Sequence, residues 1–155
     1  MQFRRALTAL LVVFSLSILG CSSSEEVTTP TAPSTPSPTG PAELQLTELS
    51  TGTGTEATSG STAIVHYTLW LYDPAGIESK GTRVGSSRDT NAPLTFRLGS
   101  NAVIPGFEQT ITGMRVGGTR RAIVPPTLAY GATGNGPIPP NTWLVFEVEL
   151  LAVTV

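Results

Sequence analysis

Residues 144 to 151 read Leu-Val-Phe-Glu-Val-Glu-Leu-Leu. Along an extended chain Leu144, Phe146, Val148 and Leu150 point one way while Glu147 and Glu149 point the other, a period of two that a helix would scatter around its circumference. Such a strand pairs antiparallel, one side on a core and one in water. Working back from it, the period recurs. Ala122 and Val124 alternate in a strand closed by Pro125 and Pro126, and Leu94, Phe96 and Leu98 alternate with Thr95 and Arg97 after Pro93. Ala63, Val65, Tyr67, Leu69 and Leu71 mark a longer strand, and Leu44 and Leu46 begin one that gives way to the turn-rich Ser50 to Gly60. One segment suits a helix: Pro105 and Gly106 open it, Phe107, Thr110, Ile111 and Met114 follow at three- and four-residue spacings, and Gly113 marks its end. The pattern predicts an α+β domain over residues 42–155, a curved antiparallel sheet wrapped on one short helix. Its 14 glycines and 8 prolines leave little room for more helix. Periodicity alone does not give the strand order.

Upstream of this domain the composition changes. Of the 20 residues from Ser22 to Pro41, 15 are serine, threonine or proline, five of each, which builds no core. With Cys21 this makes residues 21–41 a disordered tether, reaching between about 25 Å as a coil and about 60 Å as polyproline II. Residues 1–20 have the layout of a lipoprotein signal peptide. Arg4 and Arg5 precede an apolar run from Ala6 to Gly20, and that run is shorter than the roughly 20 residues of a spanning helix. Ile18-Leu19-Gly20-Cys21 then looks like a bacterial lipobox, with Cys21, the chain's one cysteine, as the lipidation site. A single thiol offers no disulfide, so export is argued from the signal alone. The expected place is the cell envelope, with a lipid anchor in the membrane. Ser22 rather than Asp after the cysteine points to the outer membrane, facing the periplasm, if the source has two membranes. Loss of residues 1–20 removes two of the nine basic side chains and none of the eleven acidic ones, a formal charge near −4. Nucleic acid is therefore not an expected partner, since phosphate binding needs a basic surface.

Several strings of the domain, in order, resemble one family. They are Leu44-Gln45-Leu46, Ile64-Val65-His66-Tyr67-Thr68, Ser86-Ser87-Arg88-Asp89, Phe96-Arg97-Leu98-Gly99, Val103-Ile104-Pro105-Gly106-Phe107-Glu108, Gly113 to Gly118, Ala129-Tyr130-Gly131-Ala132-Thr133-Gly134, Ile138-Pro139-Pro140-Asn141 and Leu144 to Leu151. Together they span the domain and resemble the FKBP-type peptidyl-prolyl cis-trans isomerases. The resemblance implies a five- or six-stranded antiparallel half-barrel around a short helix, with a proline-sized pocket between sheet and helix. Carried over by position, the pocket residues are Tyr67, Phe96, Val103, Ile104, Phe107, Tyr130, Ile138 and Phe146. Leu94 takes a place where the family commonly has an aromatic, and Phe107 the floor position where relatives often carry tryptophan. Val84 and Gly85 depart from the pattern, standing where the family has an aromatic and then an aspartate that hydrogen-bonds a nearby tyrosine. About seven extra residues lie between Trp70 and Val84, with a turn at Asp73-Pro74-Ala75-Gly76.

The implied activity is rotation of X-Pro bonds in exported proteins, with no cofactor and no metal. X-Pro segments are the expected partners, macrolide inhibitors of the family are possible ligands, and a monomer is expected. The residues themselves oppose other enzyme classes: His66 is the one histidine, and neither a G-x-S-x-G elbow nor a phosphate-binding glycine loop occurs. His66, on a strand beside Tyr67, reads as a structural, hydrogen-bonded histidine. Spacing alone would make each aromatic ordinary core, and it is the ordered strings that assign them to a pocket. Arg115, Arg120 and Arg121 form the one basic cluster, expected as a solvated strand edge. The alternative is a chaperone or proline-segment binding module with weak or no turnover. A purely structural lipoprotein would need the pocket filled by side chains.

Overall fold

A computed structural model describes residues 39–154. The expected signal peptide, Cys21 and all of the tether before Thr39 lie outside the described residues. Six strands and one helix follow: β1 (Gln45–Ser50), β2 (Thr62–Tyr72), β3 (Lys80–Ser86), β4 (Leu94–Arg97), α1 (Pro105–Ile111), β5 (Thr119–Val124) and β6 (Leu144–Thr154). They form one antiparallel sheet in the order β1-β5-β6-β2-β3, and β4 also pairs with β2. β2 thus has β6 along one edge, while its other edge is divided between β4 at Thr62–Val65 and β3 at Thr68–Tyr72. That division curves the sheet around α1, the half-barrel expected from the sequence.

The alternation of β2 and β6 sets which residues face the helix. Cross-strand partners share a face, so the pairs Leu69–Phe146, Tyr67–Val148 and Val65–Leu150 make rows on the concave side. Leu144, Val148 and Leu150 are fully buried there, together with Ile111 and Met114 from the helix and the turn after it. Gly106 fixes the approach of the helix, because a Cβ at that position would collide with Val124.

The structure corrects three expectations. β3 was not foreseen, because Lys80-Gly81-Thr82-Arg83-Val84-Gly85 carries almost no apolar alternation; its pairing comes from β2, with bulges on either side of Trp70. Nor is the outer face simply wet. Val145 is fully buried in a row with Trp70 and Ile123, and Lys80 from the extra segment lies 4.6 Å from the centroid of the Trp70 ring. The basic residues, finally, are neither a cluster nor a solvated edge. β5 is an interior strand and not an edge, and successive side chains along it, Arg120 and Arg121 among them, point to opposite faces. Arg120 caps the end of α1 through the Thr110 carbonyl at 2.8 Å and the Thr112 carbonyl at 3.1 Å, and also bonds Glu48. Guanidinium charge belongs at a helix C-terminus, where carbonyls lack partners. Arg121 bonds Glu147 at 2.9 Å and Glu78 at 2.5 Å on the outer face, and Arg115 meets Glu56 at 2.8 Å elsewhere.

Candidate active site

A cavity of about 390 Å³ opens between the concave face and the start of α1. β2 contributes Tyr67 and Leu69, two residues apart and so on the same face, and β6 contributes Phe146 opposite Leu69. Ala102, Val103 and Ile104 reach it from the segment before the helix, Phe107 from the first helical turn, Leu94 from β4 and Tyr130 from the loop after β5. No charged side chain lines it. Phe107 is the centre of the aromatic wall. Its ring lies 5.5 Å from Tyr67 edge-on, 5.0 Å from Phe146 and 5.9 Å from Phe96, the separations at which offset and edge-to-face pairs attract.

Of the residues singled out in the sequence, seven meet at this wall: Tyr67, Leu94, Val103, Ile104, Phe107, Tyr130 and Phe146. Phe96 and Ile138 do not. Both are buried core outside the lining, Phe96 packed on the Phe107 ring and Ile138 in the loop beyond Tyr130, where it bridges to Asn135. Val84 falls at the β3 bulge and is half-buried against the core, outside the lining. Gly85 pairs with Leu69, so its missing side chain would point to the cavity's side of the sheet; the space a Cβ would take is empty to 4 Å, and its backbone is not in the left-handed region. Leu69 and Ala102 were missed. Leu69 was open to inference from its alternation with Tyr67, whereas nothing in the sequence marks Ala102.

Backbone and hydroxyl groups supply the polarity. The Ile104 carbonyl accepts from the Phe107 N–H at 3.0 Å and the Glu108 N–H at 3.2 Å, whereas its own N–H has no acceptor among the described residues. Likewise the Tyr67 and Tyr130 hydroxyls bond no protein group there, and no buried side-chain polar atom among those residues is left without a partner, so both face the opening. Tyr67 is held from behind. Ser87 Oγ accepts from its backbone N–H at 2.9 Å and lies 2.9 Å from His66 Nδ1, and Ser86 Oγ donates to its carbonyl at 2.8 Å. His66 is buried, 7% exposed, and bonded in this way. Asp89, the carboxylate nearest along the chain to the vacant wall position, is turned to Arg83 at 2.5 Å, whose hydrogen bond holds it below the usual aspartate range. Among the described residues no group of His, Cys, Asp and Glu could hold a metal ion, and no helix is long and apolar enough to cross a membrane.

Comparison with known proteins agrees with this geometry. Residues 53–151 match the family described as FKBP-type peptidyl-prolyl cis-trans isomerase. An FK506-binding protein of Neisseria meningitidis serogroup A is 43% identical over 111 residues, covering 71% of this chain and 95% of that protein. Among solved structures, FkpA from Escherichia coli superposes with a TM-score of 0.62 at 36% identity, over 72% of this chain and 48% of FkpA. The chain thus spans about half of FkpA's length. AtFKBP13 superposes with a TM-score of 0.62 at 34% identity, over 72% of this chain and 93% of its own.

Proposed function

This chain belongs to the FKBP-type peptidyl-prolyl cis-trans isomerase family, and from that premise we propose that it rotates X-Pro bonds in exported proteins at the cell envelope, held there by lipid on Cys21. One observation carries the catalytic part: an apolar cavity with aromatic walls and no charged lining, edged by the free Ile104 N–H and the Tyr130 hydroxyl. Such a site has no nucleophile or general base. Amide rotation needs neither.

An X-Pro bond turns slowly because resonance gives its C–N link double-bond character and a barrier of about 18–20 kcal/mol. Resonance separates charge, which a dry cavity disfavours. A twisted amide has lost most of that separation, so the walls formed by Phe107, Phe146 and Val103 bind it better than the planar ground state. The Ile104 N–H and Tyr130 hydroxyl hold substrate carbonyls in register with the twist. Substrates are X-Pro segments of folding proteins, and macrolides of the kind implied by the name of the Neisseria relative would compete for the cavity. The test is a protease-coupled assay of the full chain on a short Xaa-Pro peptide. Acceleration that is abolished by such a macrolide supports the reading; none at micromolar protein sinks it.

Gly85 favours a second reading. With no carboxylate at that wall the Tyr67 hydroxyl lacks its family partner, and a domain that binds X-Pro segments but turns them slowly would act as a holding module. A measurable Kd for the peptide without acceleration would select it.

A further inference from the structure

The stretches of chain that form the cavity carry no charge well beyond the lining itself. Residues 57–72, 90–96, 98–107 and 122–146 contain no aspartate, glutamate, lysine or arginine, and every residue that lines the cavity belongs to one of them. His66, the histidine they include, alternates with Tyr67 to the other face of the sheet and bonds Ser87.

The ionised groups that flank these stretches are turned away or already bonded. Glu147, next to Phe146 in β6, points to the outer face and bonds Lys80 at 2.7 Å and Arg121 at 2.9 Å. Glu108, next to Phe107, accepts from the Gly99 N–H, and Arg97, next to Phe96, donates to the Gly60 carbonyl at 3.0 Å. Among the described residues every lysine and arginine has a carboxylate or carbonyl partner of this kind. No cation is left free to draw an acidic ligand to the opening, and no carboxylate stands in the lining to draw a basic one. Ala102 is the one exposed residue of that lining, so it stands at the mouth, where the residues on either side of a bound X-Pro pair would pass.

We propose that this mouth selects X-Pro segments whose flanking residues are uncharged, rejecting either sign alike, and that Ala102 is the position that keeps it neutral. This rests on the reading of the cavity as an X-Pro site and concerns what surrounds the bond. A charged side chain beside the bond gives up part of its hydration at such a mouth and meets no opposite charge in return. With nothing to tell the signs apart, lysine and glutamate are disfavoured equally, whereas a rim of one sign would favour the other and speed its encounter. The segments that fit are the uncharged stretches of unfolded chains, which folding removes from water, and not the charged loops of folded surfaces.

The test uses the full chain and peptides with alanine, lysine or glutamate on both sides of a Leu-Pro pair. Exchange between cis and trans signals and Kd are read by NMR in about 0.15 M salt, where charges beyond about 8 Å are screened. Relative to the alanine peptide, kcat/KM for the lysine and glutamate peptides should fall about three- to tenfold and agree with each other within about twofold, since only desolvation acts. Ala102→Glu, with its melting temperature as the control for folding, should favour the lysine peptide over the glutamate one by up to about fivefold, the worth of an exposed ion pair, and about 1 M salt should erase the difference. Charged peptides handled as well as the neutral one, a wild-type preference for one sign, or a folded Ala102→Glu variant indifferent to sign would each overturn the proposal. If no peptide is turned over but Kd keeps the expected order, the selection stands and isomerase activity falls. Equal turnover of all the peptides leaves isomerase activity standing and removes the selection, and binding of none removes both.

Discussion

At residue scale the most informative position is Gly85. The family pattern has an aspartate there, and the structure leaves room for one: its backbone is outside the left-handed region, a Cβ meets nothing within 4 Å, and Leu69 opposite faces the cavity beside Tyr67. Gly85→Asp is therefore expected to raise kcat/KM by roughly tenfold, the equivalent of 1.36 kcal/mol in the barrier, with the melting temperature unchanged. A wild type already as fast as its relatives, and no gain in the variant, would show the carboxylate to be dispensable. Tyr130→Phe keeps the ring and removes one donor, so it should slow isomerisation more than it lowers stability. Phe146→Ala reverses that order. Its ring is 5% exposed and 5.0 Å from Phe107, and truncation of a buried phenylalanine costs about 3–5 kcal/mol. An unchanged unfolding midpoint would contradict the packing described.

At the scale of elements, the segment between β2 and β3 shows how local charge builds structure that no period announces. Asp73 opens it with its carbonyl accepting from Gly76 N–H at 3.0 Å and Oδ1 from Ala75 N–H at 2.9 Å, the turn expected from Asp-Pro-Ala-Gly. Glu78 and Ser79 then take left-handed angles, φ 58° and 61°, and leave Ile77 87% exposed. What holds this backbone is a row of alternating charge, Lys80 bonding Glu78 and Glu147 at 2.7 Å each and Arg121 bonding both acids. Burial works against the Lys80 charge, but its hydrogen bonds to Glu147 and Glu78 outweigh that and raise its pKa. Glu78 is held below the usual range by its bond to Lys80 and then by that to Arg121. A carboxylate with a lowered folded-state pKa stabilises above its unfolded value, about 4.3, and that stabilisation is lost as pH falls through the lower folded one. Protection factors for amide exchange at residues 77–80, which already discount the slowing of intrinsic exchange in acid, should fall between pH 5 and pH 3, on those carboxylate values. Glu78→Gln should remove that dependence; if the step survives, another group carries it.

Across the whole molecule, what was legible divides by the kind of pattern that carries it. Strands buried on one face announce themselves, because burial selects alternate apolar residues, and β2, β4, β5, β6 and the helix at Phe107 were read that way. β3 and the pairing of Arg120 with the helix carbonyls were not, since one is specified by its neighbour's backbone and the other by a contact between distant segments. Seven cavity residues came by position from the family resemblance and not from spacing, which treats a pocket aromatic and a core aromatic alike; Phe96 and Ile138 came from the same resemblance, and in this chain they are buried core beside the lining. The proposed leader and lipobox rest on a different kind of signal again, composition without packing, and their test is chemical. Acylation requires the Cys21 thiol, and the folded domain begins well after it, so Cys21→Ser should leave the unfolding midpoint unchanged while abolishing incorporation of a fatty-acid probe. Each buried methylene of an acyl chain contributes about 0.8 kcal/mol to membrane binding, so its loss should move the protein from the membrane fraction to the soluble one. A variant that still takes up label would show that the lipid is attached elsewhere or that residues 18–21 are not a lipobox. An unlabelled variant that stays with membranes would point instead to an uncleaved segment at residues 6–20 as the anchor.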